Sequence, residues 1–349
     1  MRITSSILYS QILNGLQNFQ ATDSELTNEL STGKKILKPS DDVAGTMRAM
    51  DYQVSIRNNN QFENNINDAT TNLNLTSNVL TGVSSTLSAL TNLISSSSST
   101  TTVDSATLAN QASQLRNELY NYSNTKNGSD YLFSGFLTNQ QPYTIQNQPV
   151  GTVPSTAYVY NGDDGALNIP IGSGKTMQAN VTGNDAFSLA QGALPASVTL
   201  SNGQIAEYSA GAGTAVNVTI LHSDGVTVAD SFSFSNVMDM ANIVSSALST
   251  DDTSRIEAMT EPLSDMQNQV NALQSDVGSR INALKDQTSL LTQNTTTLQN
   301  QQSTVEDADT NQLALQLSQT STALQALEST ASQILTQSLF NFLSSTATG

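Results

Sequence analysis

"FENNINDATTNLNLTSNVLTGVSSTLSALTNLI" occupies Phe62 to Ile94, and its spacing decides the fold. Residues 62, 66, 69, 73, 76, 80, 83, 87, 90 and 94 are Phe, Ile, Ala, Leu, Thr, Leu, Val, Leu, Leu and Ile. Steps of three and four sustained this long lay one apolar stripe along a helix, the seam of a coiled coil or elongated bundle. Only Thr76 interrupts it. The spacing predicts a helix that begins near Ser40, with Asp41 and Asp42 in its first turn, where carboxylates suit the positive end of the helix dipole. Extended to about Ser95, it would be roughly 80 Å long, too long for a compact globule.

Outward from this segment the same spacing recurs. Ser95 to Thr102 reads as a Ser/Thr loop, and a second helix follows with Leu108, Ala112, Leu115, Leu119 and Tyr122 on one stripe. Asn127-Gly128 is expected to end it as a C-cap or turn. Upstream, Leu8, Ile12, Leu16, Phe19, Leu26 and Leu30 share a face. Downstream, Leu263, Met266, Val270, Leu273, Val277, Ile281, Leu284 and Leu291 form one stripe, and Leu313, Leu317, Leu324, Leu327, Ala331 and Ile334 another. The step of four at Ile281 is a stutter that shifts the seam.

Between these helical ends the character changes after Pro142. "AYVYNGDDGALNIPIG" reads as strand, tight turn, strand, and "NVTILHSDGVTVADSFSF" as two strands about Ser223-Asp224-Gly225. A short helix is expected near Val237–Leu248. The expected fold is therefore mainly α with a β insert: an elongated helical coiled-coil or bundle rod formed by both termini, with a central β-rich outer domain. Residues 1–38 with 305–349 are expected to form a terminal inner helical layer, 39–142 with 253–304 the helical rod, and 143–252 the β-rich outer domain.

Composition narrows the function. The 349 residues carry a net charge of −17, yet only 12% are charged, so the imbalance is a shortage of Lys and Arg. Nucleic acid is excluded as a partner on this reading, because binding it means neutralising phosphates with clustered cations. There is no cysteine and one histidine, His222, which removes thiol chemistry, disulfides and Cys-based zinc sites. The N-terminus lacks an apolar core of about 7–15 residues, and no run of about 18 apolar residues exists, so neither a cleaved signal peptide nor a membrane span is expected.

The candidate sites dissolve one by one. "LSTGKKILKPSDDVAG" (30–45) places Gly33 before two lysines, but no glycine stands five residues earlier and Ile36 follows where a phosphate loop needs Ser or Thr. It reads as a joint: Gly33 ends one helix, the lysines sit at its negative end, and Pro39-Ser40 opens the next. Asp163-Asp164-Gly165 lacks the spacing of a calcium loop and reads as a hairpin turn. Glu306, Asp307 and Asp309 read as first-turn acids before a helix. His222 is a strand residue beside a turn. No catalytic, cofactor or metal site is expected, and the chain is not expected to be an enzyme. The informative feature is the pair of amphipathic ends. Their outer faces carry Gln, Asn, Ser and Thr, which are buried against neighbours at less desolvation cost than charges.

Three blocks, in order, resemble the bacterial flagellin superfamily: "LSTGKKILKPSDDVAG" (30–45), "VGSRINAL" (277–284) and "STVEDADTNQLALQLSQTSTALQA" (303–326). Its signature positions here are Gly33, Pro39, Ser40, Asp41, Asp42, Gly278, Arg280, Glu306, Asp307 and Asp309. Within it, "SDYLFSGFLTNQQPY" (129–143), "YNGDDGALNIPIGSGKTMQANVTGNDAF" (160–187) and the ending "SLFNFL" (338–343) are similar to the hook–filament junction family, the hook-associated proteins of the third type. Residues 188–250 and the tail after Leu343 match nothing recognised.

The resemblance implies a structural subunit of the extracellular flagellum, secreted by flagellar type III export without a cleaved signal peptide. Implied partners are further copies of itself, the first-type hook-associated protein, flagellin, and an export chaperone on the C-terminal helix. Inner-layer assembly contacts are expected at Leu16, Phe19, Leu26, Leu30, Leu317, Leu324, Leu327 and Ile334. Two other readings stay open: a filament flagellin with a small outer domain, and a surface-binding, adhesive module acting through its β domain.

Overall fold

The computed structural model describes residues 2–99, 104–147, 156–190 and 194–346. Helices from both ends of the chain flank a central β-rich stretch, as the apolar spacing implies. The chain divides into two compact units, Met1–Asn59 with Thr292–Gly349, and Asn60–Leu291. Both divisions fall within long helices.

The first unit holds α1 (Arg2–Thr32), the start of α2 (Val43–Ser99), the end of α7 (Thr260–Glu306) and α8 (Thr310–Thr346). Helix α1 packs along α8. Gly15 faces Leu327, whose Cδ1 lies 4.0 Å from where a Cβ on the glycine would stand, an ordinary van der Waals distance. Asn59 of α2 donates from Nδ2 to Thr295 Oγ1 of α7 at 3.2 Å.

The second unit is built on the seam. Every seam position from Ile66 to Ile94 is buried, and Leu73, Leu80, Val83, Leu87 and Leu90 are fully so. Thr76 is buried with them, its hydroxyl donating to the Asn72 carbonyl one turn back at 2.8 Å. That local bond lets a hydroxyl sit in an apolar seam. The downstream stripe of α7 is buried at Leu263, Met266, Val270, Val277, Leu284 and Leu291. Helix α3 (Ser105–Ser123) contributes Leu108, Ala112 and Leu119.

The β-rich stretch consists of hairpins and a meander. The two-residue strands β1 (Lys126–Asn127) and β2 (Asp130–Tyr131) pair about Gly128. Strand β3 (Tyr143–Asn147) pairs antiparallel with β4 (Thr156–Tyr160), and β5 (Asn168–Gly172) with β6 (Lys175–Gln178). After a single-turn helix α4 (Gly183–Phe187), strands β7 (Ser197–Thr199), β8 (Ile205–Ala210), β9 (Val216–Leu221) and β10 (Val228–Phe234) make one four-stranded antiparallel sheet. Alternate burial at Val216, Val218 and Ile220 turns one face of β9 inward.

Helices α5 (Val237–Ser249) and α6 (Thr253–Ala258) complete the unit. Helix α5 is buried nearly all round, because α3 lies on one side and β4 and β10 touch it elsewhere. Ser113 and Ser245 hydroxyls meet at 2.7 Å, and Arg116 donates to Asn242 Oδ1 at 2.7 Å.

Four expectations need correction. Helix α2 begins at Val43 rather than Ser40, because residues 39–41 form a turn. It continues as helix through Ser99, so Ser95–Ser99 are not a loop; 100–103 lie outside the described residues. The hydroxyls of Ser95, Ser96 and Ser97 donate to the carbonyls of Thr91, Asn92 and Ile94, about one turn back, which satisfies them within the helix. Helix α3 ends at Ser123, capped by Asn124, and Asn127-Gly128 is instead the hairpin turn between β1 and β2. Asp163-Asp164-Gly165 is not a hairpin turn, because β4 pairs backwards with β3 and β5 forwards with β6.

Candidate functional site

Lys34 and Asp307, far apart in sequence, form an isolated antiparallel bridge in the first unit. Helix α1 stops at Thr32 because Gly33 adopts φ +70°, the left-handed conformation that glycine takes without a Cβ penalty. Its amide still reaches the Glu29 carbonyl at 2.8 Å. The chain then runs beside the end of α7. Lys35 N donates to Glu306 O at 2.9 Å, and Ala308 N donates to Gly33 O at 2.9 Å.

Side chains reinforce the bridge. Lys34 Nζ lies 2.6 Å from Glu306 Oε1, and Lys35 Nζ donates to the Thr304 carbonyl at 3.2 Å. Both cations thus meet the carbonyl end of α7, where the helix dipole favours positive charge. The Lys34 side chain is 46% exposed, so this ion pair contributes about 0–1 kcal/mol, and the two backbone bonds do more to fix the geometry.

The aspartates are caps. Asp41 Oδ2 accepts from Lys38 N at 2.7 Å and Leu37 N at 3.1 Å, folding the loop onto itself. The bond from the Lys38 amide, foremost, holds its carboxyl below the ordinary carboxylate value. Asp42 Oδ1 accepts from Gly45 N at 2.9 Å, which makes Asp42 the N-cap of α2 and not a first-turn acid. Asp309 Oδ1 accepts from Asn311 N at 3.0 Å and Gln312 N at 3.2 Å, capping α8. Of the acids expected in a first turn after residue 305, only Asp309 serves a helix start. Glu306 is the last residue of α7, and Asp307 accepts from the Ser303 hydroxyl one turn back.

The structure therefore gathers Gly33, Glu306 and Asp307 at one joint and sets Asp41, Asp42 and Asp309 at its turns and helix starts. Pro39 and Ser40 lie in the turn ahead of α2. Gly278 and Arg280 belong to the second unit. Arg280 pairs with Asp276 at 2.6 Å and donates to the Asn180 carbonyl at 3.2 Å, tying α7 to the chain after β6. A Cβ on Gly278 would meet no neighbour.

The terminal apolar residues show a different state. Among the described side chains of α1 and α8, only Leu26 and Leu313 are buried. Leu16, Leu30, Leu317, Leu324, Leu327 and Ile334 are half-buried, and Phe19 is exposed. His222 is exposed at the turn after β9, where its amide donates to Thr227 O. Among the described residues no group of three His, Cys, Asp or Glu could hold a metal ion, and no helix is long and apolar enough to cross a membrane.

Sequence reasoning missed Lys34's partner across the chain, since nothing local marks residues 272 apart as neighbours. It also missed Phe136, 60% exposed in the loop after β2. The Ser134-Gly135-Phe136 stretch, with a glycine just before a large aromatic, was the available signal.

Comparison with known proteins fits this architecture. Residues 3–138 match the bacterial flagellin N-terminal helical region. Flagellar hook-associated protein 3 of Salmonella typhimurium is 25% identical over 199 residues, 56% of this chain and 60% of that protein. The match thus spans about three fifths of that curated relative's length. The flagellar junction protein FlgL of Legionella pneumophila superposes with a TM-score of 0.50 at 16% identity, over 69% of this chain and 95% of that one. FlgL of Xanthomonas campestris does so with a TM-score of 0.53 at 14% identity, over 72% and 99%.

The class these helices and this joint resemble, over residues 3–138, is the flagellin-like one. Within that class, the particular protein the chain is similar to is flagellar hook-associated protein 3. Such relatives are structural components of the flagellum rather than enzymes.

Proposed function

We propose that the chain is a structural subunit of the bacterial flagellum, placed at the junction between hook-associated protein and filament. The observation that carries this reading is the contrast between its ends and its centre. The seam of α2 is buried at every position from Ile66 to Ile94, while α1 and α8 pair with most of their apolar stripes half-exposed. Helices that fold together yet leave apolar surface unfilled are built to be completed by neighbours.

On this reading 1–38 with 305–349 form the inner layer, 39–142 with 253–304 the rod, and 143–252 an outward β domain. Leu16, Phe19, Leu26, Leu30, Leu317, Leu324, Leu327 and Ile334 make inner-layer contacts. Copies pack head to tail, one patch against a different patch, which generates a helical rather than a closed pairwise assembly. The partners are the first-type hook-associated protein on one side and flagellin on the other. The chain leaves the cell through flagellar type III export, with a chaperone holding α8 beforehand.

Immunogold labelling of intact flagella with antibody against residues 143–252 tests the placement. The expected result is a single band where hook meets filament. Label along the whole filament would identify a flagellin instead, and unlabelled flagella with the antigen elsewhere on the cell would remove the flagellar reading.

A further inference from the structure

The first turns of α2 are apolar on two opposite faces. Ala49, Tyr52 and Ile56 turn inward or lie half-buried. Val43, Met47, Met50 and Val54, spaced four, three and four, form a second stripe that is 62%, 63%, 56% and 44% exposed. A helix apolar on both sides is normally covered on both. Two methionines suit a contact that must adapt to its partner. Beside the stripe runs a groove lined by Leu37, Pro39 and Thr46, and the buried Thr46 Oγ1 has no hydrogen-bond partner among the described residues. Positive charge gathers here too: residues 34 to 57 hold five of the chain's twelve Lys and Arg against three acids, Asp41, Asp42 and Asp51, and Lys34 among the cations is paired with Glu306.

The second unit carries a complementary feature. Phe136 is 60% exposed and Leu137 41%. The aromatic is held, not loose. Gly135 has φ +69°, and a Cβ on it would collide with the Asp163 carboxylate. Phe136 N donates to Asp163 Oδ1 at 2.7 Å, and the ring lies over Gly165, where any Cβ would strike it. Exposed Asp164 adjoins this clamp in sequence, and exposed Asp130 lines the same cleft as Gly135. A fixed aromatic loses little freedom on docking, which is what a binding anchor requires.

We propose that Phe136 and Leu137 of one copy dock on the Val43–Met47–Met50–Val54 stripe of a second copy, with Asp130 and Asp164 facing Arg48 and Arg57. A second copy is the occupant because it supplies both halves: an apolar stripe in a segment of net positive charge, flanked by Arg48 and Arg57, and an apolar knob beside Asp130 and Asp164, in a chain that is acidic as a whole. The two patches differ, so the contact is head to tail and repeats. This rests on the self-assembly reading above and assigns that assembly a specific contact.

The absence of cysteine makes the test clean. Flagella are isolated from cells expressing the full chain with Met47→Cys, with Leu137→Cys, or with both, and are then oxidised or treated with a short bismaleimide. The expected result is a ladder of cross-linked chains with the double variant, several-fold above the yield of either single variant. A double variant present in the flagellar fraction but cross-linked no more than the single variants overturns the contact and leaves the junction reading standing. If the unmodified chain is itself absent from flagella, that reading fails instead. The two purified single variants are then mixed in solution, where cross-linking no greater than between Met47→Cys and Val226→Cys, at an exposed site elsewhere in the second unit, overturns the contact.

Discussion

Asp42 and Asp309 do the same work at two helix starts, each accepting amide bonds that the first turn leaves unpaired. Asp309→Ala is expected to cost about 1 kcal/mol at the start of α8, and faster amide exchange at Asn311 and Gln312 in the variant would register it. Gly33 is constrained by conformation alone, since no atom lies within 4 Å of its absent Cβ. Gly33→Ala should therefore destabilise the first unit by about 1–2 kcal/mol, read by chemical denaturation, with unchanged stability refuting the backbone argument. Asp239, in the first turn of α5, accepts from Tyr158 N at 3.1 Å and Ser235 N at 3.1 Å, yet burial dominates and pushes its carboxyl up to about 6. The folded form therefore holds the proton more tightly than the unfolded chain, whose carboxyl stays near 3.8. Its contribution favours folding most below that lower value and is lost as pH rises through about 6. The second unit should be more stable at pH 5 than at pH 7, and Asp239→Asn should flatten that slope in tyrosine-monitored unfolding.

At the scale of elements, α2 shows how far one stripe reaches. Leu80 and Leu87 are fully buried, so Leu80→Ala should cost about 2–5 kcal/mol. The loss should appear as a lower denaturation midpoint of the second unit. The spacing of Phe62 to Ile94 made this helix legible, and Val216, Val218 and Ile220 did the same for a strand face. Pairing partners were not legible. Strand β4 reads equally well as half of a hairpin with β5, but it finds β3, because strand pattern records which face is buried and not which edge is paired. The start of α2 was misplaced by three residues because Ser40, Asp41 and Asp42 all suit a cap, and only the amide bonds to Asp42 decide among them.

For the whole molecule, the terminal helices set the expectations. With only Leu26 and Leu313 buried among their described side chains, α1 and α8 should exchange amide hydrogens quickly in the free monomer. The seam of α2 should be strongly protected, and α1 and α8 should slow on incorporation into flagella. Full protection of α1 and α8 in the monomer would remove the argument that they await neighbours. Paired truncation Leu324→Ala with Leu327→Ala should reduce incorporation more than a change at Val226, which is 80% exposed in the β region. Equal incorporation of the two variants would count against an inner layer at these positions.

The sequence by itself determined the helices, the turn glycines, the β-rich centre and the absence of thiol chemistry. Each of these depends on residues near one another in the chain: a period, a cap, a left-handed glycine, a missing residue type. Only the tertiary structure decided that Lys34 meets Glu306, that β3 takes β4, and that Phe136 is clamped outward over Gly165 beside Asp163. It also decided that one stripe at the start of α2 stays exposed while the seam further along is closed. Local pattern gives each element a buried face, and the choice of what covers that face is made by packing between residues distant in sequence.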